Sequence, residues 1–273
     1  MARFVIVPQW QGSPSARAMQ LIDGAQAIAG DLPRTACTTI EVPLEAGEAL
    51  DTGVHRFSSL TRTRDALEDE LARTDAPVIV VGGDCGVSVA AIGAAAERES
   101  SLAVVWFDAH PDLHTPESSE SGAFGGMALS AVLGEGASGL TLAPGTIGAE
   151  RVVLAGARDY ETDEESRVAD LGIVAIDAAD LADPEALATA VAATGAAGIY
   201  VHVDLDVLDP AALTGVTAAV PFGLTVAQLV AAIGALRATA PLVGATIAGF
   251  APPTPAAAVD DLGAILRVVG ALA

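Results

Sequence analysis

Lysine is missing from this chain: all 13 basic residues are arginine, set against 35 acidic ones, which leaves a formal net charge of −22 and a pI near 4.2. Beside abundant alanine and glycine, that bias matches a GC-rich coding sequence and carries no mechanism. So little positive charge argues against nucleic acid or an anionic membrane surface as a partner and favours cations, whether metal ions or substrate. Cysteine is scarce too: Cys37 and Cys85 build no disulfide framework, as expected in a reducing compartment. Aromatic residues make up 4% of the chain against a hydrophobic share of 52% and a mean hydropathy of +0.50, so the apolar content is Ala, Val, Leu and Ile, the material of helices and parallel strands. No apolar run reaches the ~18 residues of a membrane span, and the weakly apolar stretch 224–250 is broken by Arg237 and Pro241. Phe4-Val5-Ile6-Val7-Pro8 is too short for the core of a signal peptide and reads as a first strand, which makes the cytoplasm the expected location.

What is present alternates. Strand-like runs at 3–7, 78–82, 103–107, 152–156, 173–176, 199–205 and 243–249 are separated by helical patterns near 14–30, 62–73, 86–98, 127–133, 163–170, 184–193, 225–238 and 256–272. Val/Ile-rich strands in such an alternation predict an α/β fold with a parallel sheet covered on both faces, and ligands of such sheets bind beyond the carboxyl ends of the strands. At 273 residues, with no repeat and no linker, residues 1–273 read as one domain. Residues 35–61 carry weak periodicity and read as a long loop bordering the site, with His55 a surface residue in it.

Two stretches carry chemistry. In Trp106–Pro116, Asp108, His110 and Asp112 recur at every second position, so a strand's period of two sends them to one side of its end. In Tyr200–Pro210, His202, Asp204 and Asp206 share one face, opposite Val201, Val203 and Leu205. Each cluster alone could cap its own loop. Together they bring four carboxylates to two strand ends, which a partly buried cleft does not hold without cations; one would help, and two sharing bridging carboxylates match the count better. A third stretch, Val78–Gly86, runs from an apolar strand into Gly82, Gly83, Asp84 and Cys85. Cys85 stands near a helix N-terminus, where a thiol is readily a thiolate; the other reading is a small buried hydrophobe.

GGDC, DAHPD and HVDLDVLDP, in this order, resemble the arginase and agmatinase (ureohydrolase) family, whose patterns are GGDH, DAHxD and SxDxDxxDP. The resemblance spans about residues 78–262. It implies a three-layer α/β/α fold around a mostly parallel sheet, and a binuclear manganese centre that hydrolyses guanidino groups. Position by position it makes Asp108, His110, Asp112, Asp204 and Asp206 metal ligands, with Asp108 and Asp204 bridging, and sets Cys85 where the family has a histidine ligand. A thiolate pulls toward zinc or iron, but five harder ligands against one soft one favour two manganese ions (Mn2+) per chain. Two cations lower the pKa of a water between them and so supply hydroxide at neutral pH, while Asp112 accepts a hydrogen bond from it.

The departures from the family bear on substrate. Gly125 stands where arginases have the histidine given a proton-shuttling role, and Gly249 where the family has a glutamate that anchors the guanidinium. The leaving amine then needs its proton from Asp112 or His202, although a purely structural place for His202 is as consistent. Glu161 and Glu164 match acids that hold the amino-acid end of the substrate, although an exposed acidic loop fits Glu164 equally. Ser119 and Ser121 match hydroxyls on its carboxylate, and His114 replaces an asparagine there. A guanidinium is protonated at cellular pH and benefits from a buried anion, whereas an N-hydroxyguanidine is less basic and needs that anion less. The expected reaction is therefore cleavage of Nω-hydroxy-L-arginine to hydroxyurea and L-ornithine. An ordinary ureohydrolase acting on arginine, agmatine, guanidinobutyrate or formiminoglutamate, or an inactive metal-binding member, are the alternatives. The chain lacks the C-terminal extension that helps some arginases form trimers, which favours a monomer.

Overall fold

The structure is a computed structural model that describes residues 2–161 and 163–273. In chain order its elements are β1 (Arg3–Val7), α1 (Gln20–Gly30), β2 (Cys37–Thr39), α2 (Phe57–Leu71), β3 (Val78–Gly82), α3 (Val87–Arg98), β4 (Leu102–Phe107), α4 (Ala128–Val132), β5 (Val152–Ala155), α5 (Glu164–Leu171), β6 (Val174–Ile176), α6 (Pro184–Ala193), β7 (Gly198–Asp204), α7 (Val226–Thr239), β8 (Leu242–Ala248) and α8 (Ala258–Leu272). Among the described residues the eight strands form one sheet, parallel throughout, in the order β2-β1-β3-β8-β7-β4-β5-β6.

Alternation along each strand divides the core into two layers. Phe4, Ile6, Ile79, Val81, Val105, Val201 and Ile247 face one way and pack against α1, α6, α7 and α8. Val5, Val7, Val80, Val104, Trp106 and Tyr200 face the other and pack against α2, α3 and α4. Strands buried on both faces need continuous apolar runs, which is what β3, β4 and β7 have. The two edge strands have three residues each, too short to invite pairing with another chain. No helix among the described residues is long and apolar enough to cross a membrane.

The expected strands and helices recur within a few residues, with three differences. Residues 35–61 are not all loop: β2 and the start of α2 lie there, because three residues on an exposed edge leave no readable period. The segment 14–19 precedes α1 as turns instead of continuing it. β4 ends at Phe107, so Asp108, His110 and Asp112 are not borne on a strand. Their convergence has another cause, the strand order. β3 and β4 are consecutive in sequence yet separated in the sheet by β8 and β7. The segments leaving these four strands therefore meet over the carboxyl edge, at the kind of switch point where α/β sheets bind ligands.

Candidate metal centre

Each exit loop is tied to its neighbour before any ligand is considered. After β3, Asp84 accepts hydrogen bonds from Gln9 Nε2 (2.9 Å), Gly12 N (3.0 Å) and Gly86 N (3.0 Å), joining the 9–12 loop to the start of α3. Burial outweighs these bonds and pushes its pKa up to about 6. Asp84 is thus a brace that its sequence context did not disclose. Gly249 N, after β8, donates to Gly83 O at 2.8 Å. After β7, Asp206 Oδ1 accepts from Ala109 N (3.1 Å), which fixes the β7 and β4 exits against each other.

This bracing brings the expected ligands together. Cys85 is 8% exposed, with Sγ 3.0 Å from Asp204 Oδ2 and 3.7 Å from Asp108 Oδ2. Asp108 turns its other oxygen to His110, whose Nδ1 lies 3.2 Å from it and 3.1 Å from Asp206 Oδ2. The acceptor atoms of Cys85, Asp108 and His202 lie within 4.8 Å of one another, as do those of Asp108, His110 and Asp206. Asp108 belongs to both groups. Asp112 is held in the left-handed backbone region (φ +53°) by Leu129 N and Ser130 N, which donate to its carbonyl. Its buried Oδ2 has no hydrogen-bond partner among the described residues.

The electrostatics show what this arrangement lacks. Burial first, then repulsion from neighbouring carboxylates, holds Asp112 and Asp204 well above the usual carboxylate range and pushes Asp206 up to about 6. For Asp108 burial is outweighed by His110 and His202, which keep it below that range. His110, against the cost of its own burial, is pushed up to about 12 by Asp108 and Asp206. The easy ionisation that a helix N-terminus offers Cys85 is reversed: burial first, then the neighbouring carboxyl groups of Asp204, Asp112 and Asp108, raise its pKa well above the ordinary thiol and outweigh a helix terminus of about half a charge. Only a cation among these groups would let the thiol and all four carboxylates ionise together. The orphaned Asp112 Oδ2 and His202 Nε2, both turned into the cluster or its edge, fit such ions.

A cavity of about 280 Å³ opens onto the centre. Cys85, Asp108, His110, Asp112, Asp204 and Asp206 all line it, and so do His114, Ser121, Glu161 and Glu164. Ser119 does not; its hydroxyl accepts from Gly122 N (3.1 Å) and lies 3.3 Å from Ser121 Oγ. Glu164 is buried, accepting from Leu113 N and Glu161 N (3.0 Å each), which differs from a solvated acidic loop. Exposed Glu161 sets Oε2 3.0 Å from His114 Nε2. Gly125 and Gly249 also line the cavity, where the expected histidine and glutamate would stand.

His202 departs from the expected catalytic placement. It is 0% exposed and absent from the cavity lining, stacked on Trp106 with ring centroids 3.7 Å apart. Strand β7 runs beneath the carboxylates, so a side chain two residues before its end is covered by them. Ser88 and Trp106, which hold this ring, had no signal in the sequence because both look like ordinary helix and strand interior.

A sequence profile described as the Arginase family matches residues 15–266. The chain is 32% identical over 200 residues to an arginase of Bacillus caldovelox, covering 68% of this chain and 67% of that one. It is 30% identical over 200 residues to the N(omega)-hydroxy-L-arginine amidinohydrolase of Streptomyces lavendulae, covering 71% and 68%. Among solved structures, an Entamoeba histolytica arginase in complex with L-ornithine superposes with a TM-score of 0.87 at 21% identity, covering 99% of this chain and 97% of that one.

Proposed function

Because the chain belongs to the arginase family, whose members hydrolyse amidino C–N bonds, we propose that it is a binuclear-metal amidinohydrolase cleaving Nω-hydroxy-L-arginine to hydroxyurea and L-ornithine. The observation that carries the binuclear reading is the Asp108 carboxylate, which presents one oxygen to Cys85 and the other to His110. Cys85, Asp108, Asp112 and Asp204 would hold one ion, and Asp108, His110, Asp204 and Asp206 the second, where the oxygen-rich set favours manganese. Two such ions supply Lewis acidity and a nucleophile derived from water at neutral pH.

The protein's own groups do the rest. Glu161 and Glu164 offer negative charge to an α-ammonium, while Ser121 and His114 offer donors to an α-carboxylate. Asp112, the cavity-lining member of the two expected proton carriers, takes the proton released by the nucleophile and returns it to the leaving amine. Neither glycine position supplies what a guanidinium substrate needs. A Cβ at Gly249 would fall on the Asp204 carboxylate, so an anchoring acid there is excluded by the packing itself, while one at Gly125 would lie 3.1 Å from Gly12 O, a tight contact that crowds a shuttling imidazole. Losing a buried charge partner costs ~2–5 kcal/mol, and a hydroxylated guanidine, being less basic, needs that partner less; the amine that leaves is that of ornithine with either substrate, so the missing histidine handicaps both alike. In competition at equal concentrations, hydroxyurea release should exceed urea release from L-arginine by about thirtyfold or more, the lower end of that range. Equal or greater urea release would return the chain to plain arginine hydrolysis.

A further inference from the structure

A buried imidazole normally satisfies both ring nitrogens. His202 satisfies one. Its Nδ1 lies 2.7 Å from Ser88 Oγ, and Ser88 sits one turn along from Cys85, its N–H donating to the Cys85 carbonyl at 3.0 Å. Nε2 has no partner among the described residues; the nearest carboxylate oxygen, Asp108 Oδ2, is 3.7 Å away, beyond a hydrogen bond. Trp106 stacks on the ring and leaves it no room to swing. An imidazole oriented through one nitrogen by a hydroxyl, with the other bare and aimed between a thiol and a carboxylate, has the form of a metal-ligating histidine. The spacing agrees. Donors around a tetrahedral ion at ~2.0–2.3 Å stand ~3.3–3.8 Å apart, and Asp108 Oδ2 is 3.7 Å from both Cys85 Sγ and His202 Nε2.

We propose that His202 is a metal ligand, forming with Cys85 and Asp108 a sulfur, nitrogen and oxygen site that takes a zinc-class ion in preference to manganese. The chain that has cysteine at position 85 carries its imidazole across the same cluster on β7. Thiolate with imidazole selects zinc, cobalt or ferrous iron, while the group of Asp108, His110 and Asp206 stays rich in hard oxygen and suits manganese. The two positions of the binuclear centre, on which this inference rests, therefore differ in metal preference.

The test is X-ray absorption of the full-length protein, stripped of metal and reloaded with one equivalent of zinc. One sulfur and one imidazole in the ion's shell is the expected result; a shell with sulfur and no imidazole, or with imidazole and no sulfur, overturns it. Cobalt titration follows the same site by its thiolate charge-transfer band. Ser88→Ala, which only frees the ring, should weaken the first cobalt by about 10–100-fold, the usual effect of removing a ligand's support. His202→Gln should weaken it further and change the visible bands. Unchanged bands with a loss no greater than that of Ser88→Ala would make His202 a support for Asp108 instead. Uptake of one ion in place of two with the same sulfur and imidazole shell would overturn the binuclear reading and leave the ligand assignment standing.

Discussion

Gly249 leaves β8 at φ +83°, a conformation that strains any residue with a side chain, and its missing Cβ is the space Asp204 occupies. Asp204 is one of the two carboxylates expected to bridge. Gly249→Ala should therefore displace it, releasing at least one metal per chain and lowering turnover about a hundredfold or more, as for other lost transition-state contacts. Elemental analysis of the purified variant checks this, and two retained metals would show that Asp204 can move aside. The same crowding predicts that restoring glutamate at 249 with histidine at 125 will not recover arginine hydrolysis, since the acid would evict a ligand before it met a guanidinium. At Cys85, too, the surroundings override the local rule, because burial, and after it three neighbouring carboxyl groups, sets the thiol's ionisation more strongly than the start of α3.

Between elements, Arg158 performs a comparable task. After β5 it donates to Gly156 O (3.0 Å) through Nη1, to Pro221 O (3.0 Å) through Nε, and to Asp206 O (2.9 Å) and Val220 O (2.8 Å) through Nη2. These bonds clamp the β5 exit, the β7 exit and the loop before α7 to one another. A lysine keeps the charge and loses the fork that reaches several carbonyls at once. Arg158→Lys should cost ~1–3 kcal/mol of stability, the usual consequence of leaving buried acceptors such as those of Gly156 and Asp206 unpaired. It should also weaken the metal at the Asp206 side. Chemical denaturation with and without added manganese separates the two effects. An unchanged midpoint in both would show that the loop holds itself.

For the whole molecule, the buried carboxylates make folding depend on pH in a direction opposite to ordinary acid denaturation. Asp206 and Asp84 have folded pKa values of about 6 against an ordinary 3.8, so their contribution is complete below 3.8 and is lost as the pH rises through about 6. His110 acts in the same sense from 6.5 to about 12. Asp108, held low, acts oppositely but below this range. The Tm of metal-free protein should thus fall between about pH 5 and pH 8, while the rise in Tm on adding divalent cation grows with pH, because ligands must lose protons to bind. A metal-free Tm that is flat or rising over that range would contradict the raised values. Much of this protein was legible in its sequence. The Val/Ile runs alternating with helical periods determined a parallel α/β sheet, since period and burial are local properties of side chains; GGDC, DAHPD and HVDLDVLDP likewise named the acids that meet. Only the tertiary structure decided how they meet. The insertion of β8 and β7 between β3 and β4 brings together groups more than a hundred residues apart; burial among carboxylates reverses the ionisation of Cys85; and Ser88 and Trp106 hold His202 out of the cavity lining. Each of these depends on which chain segments share a volume, a property that no single segment carries.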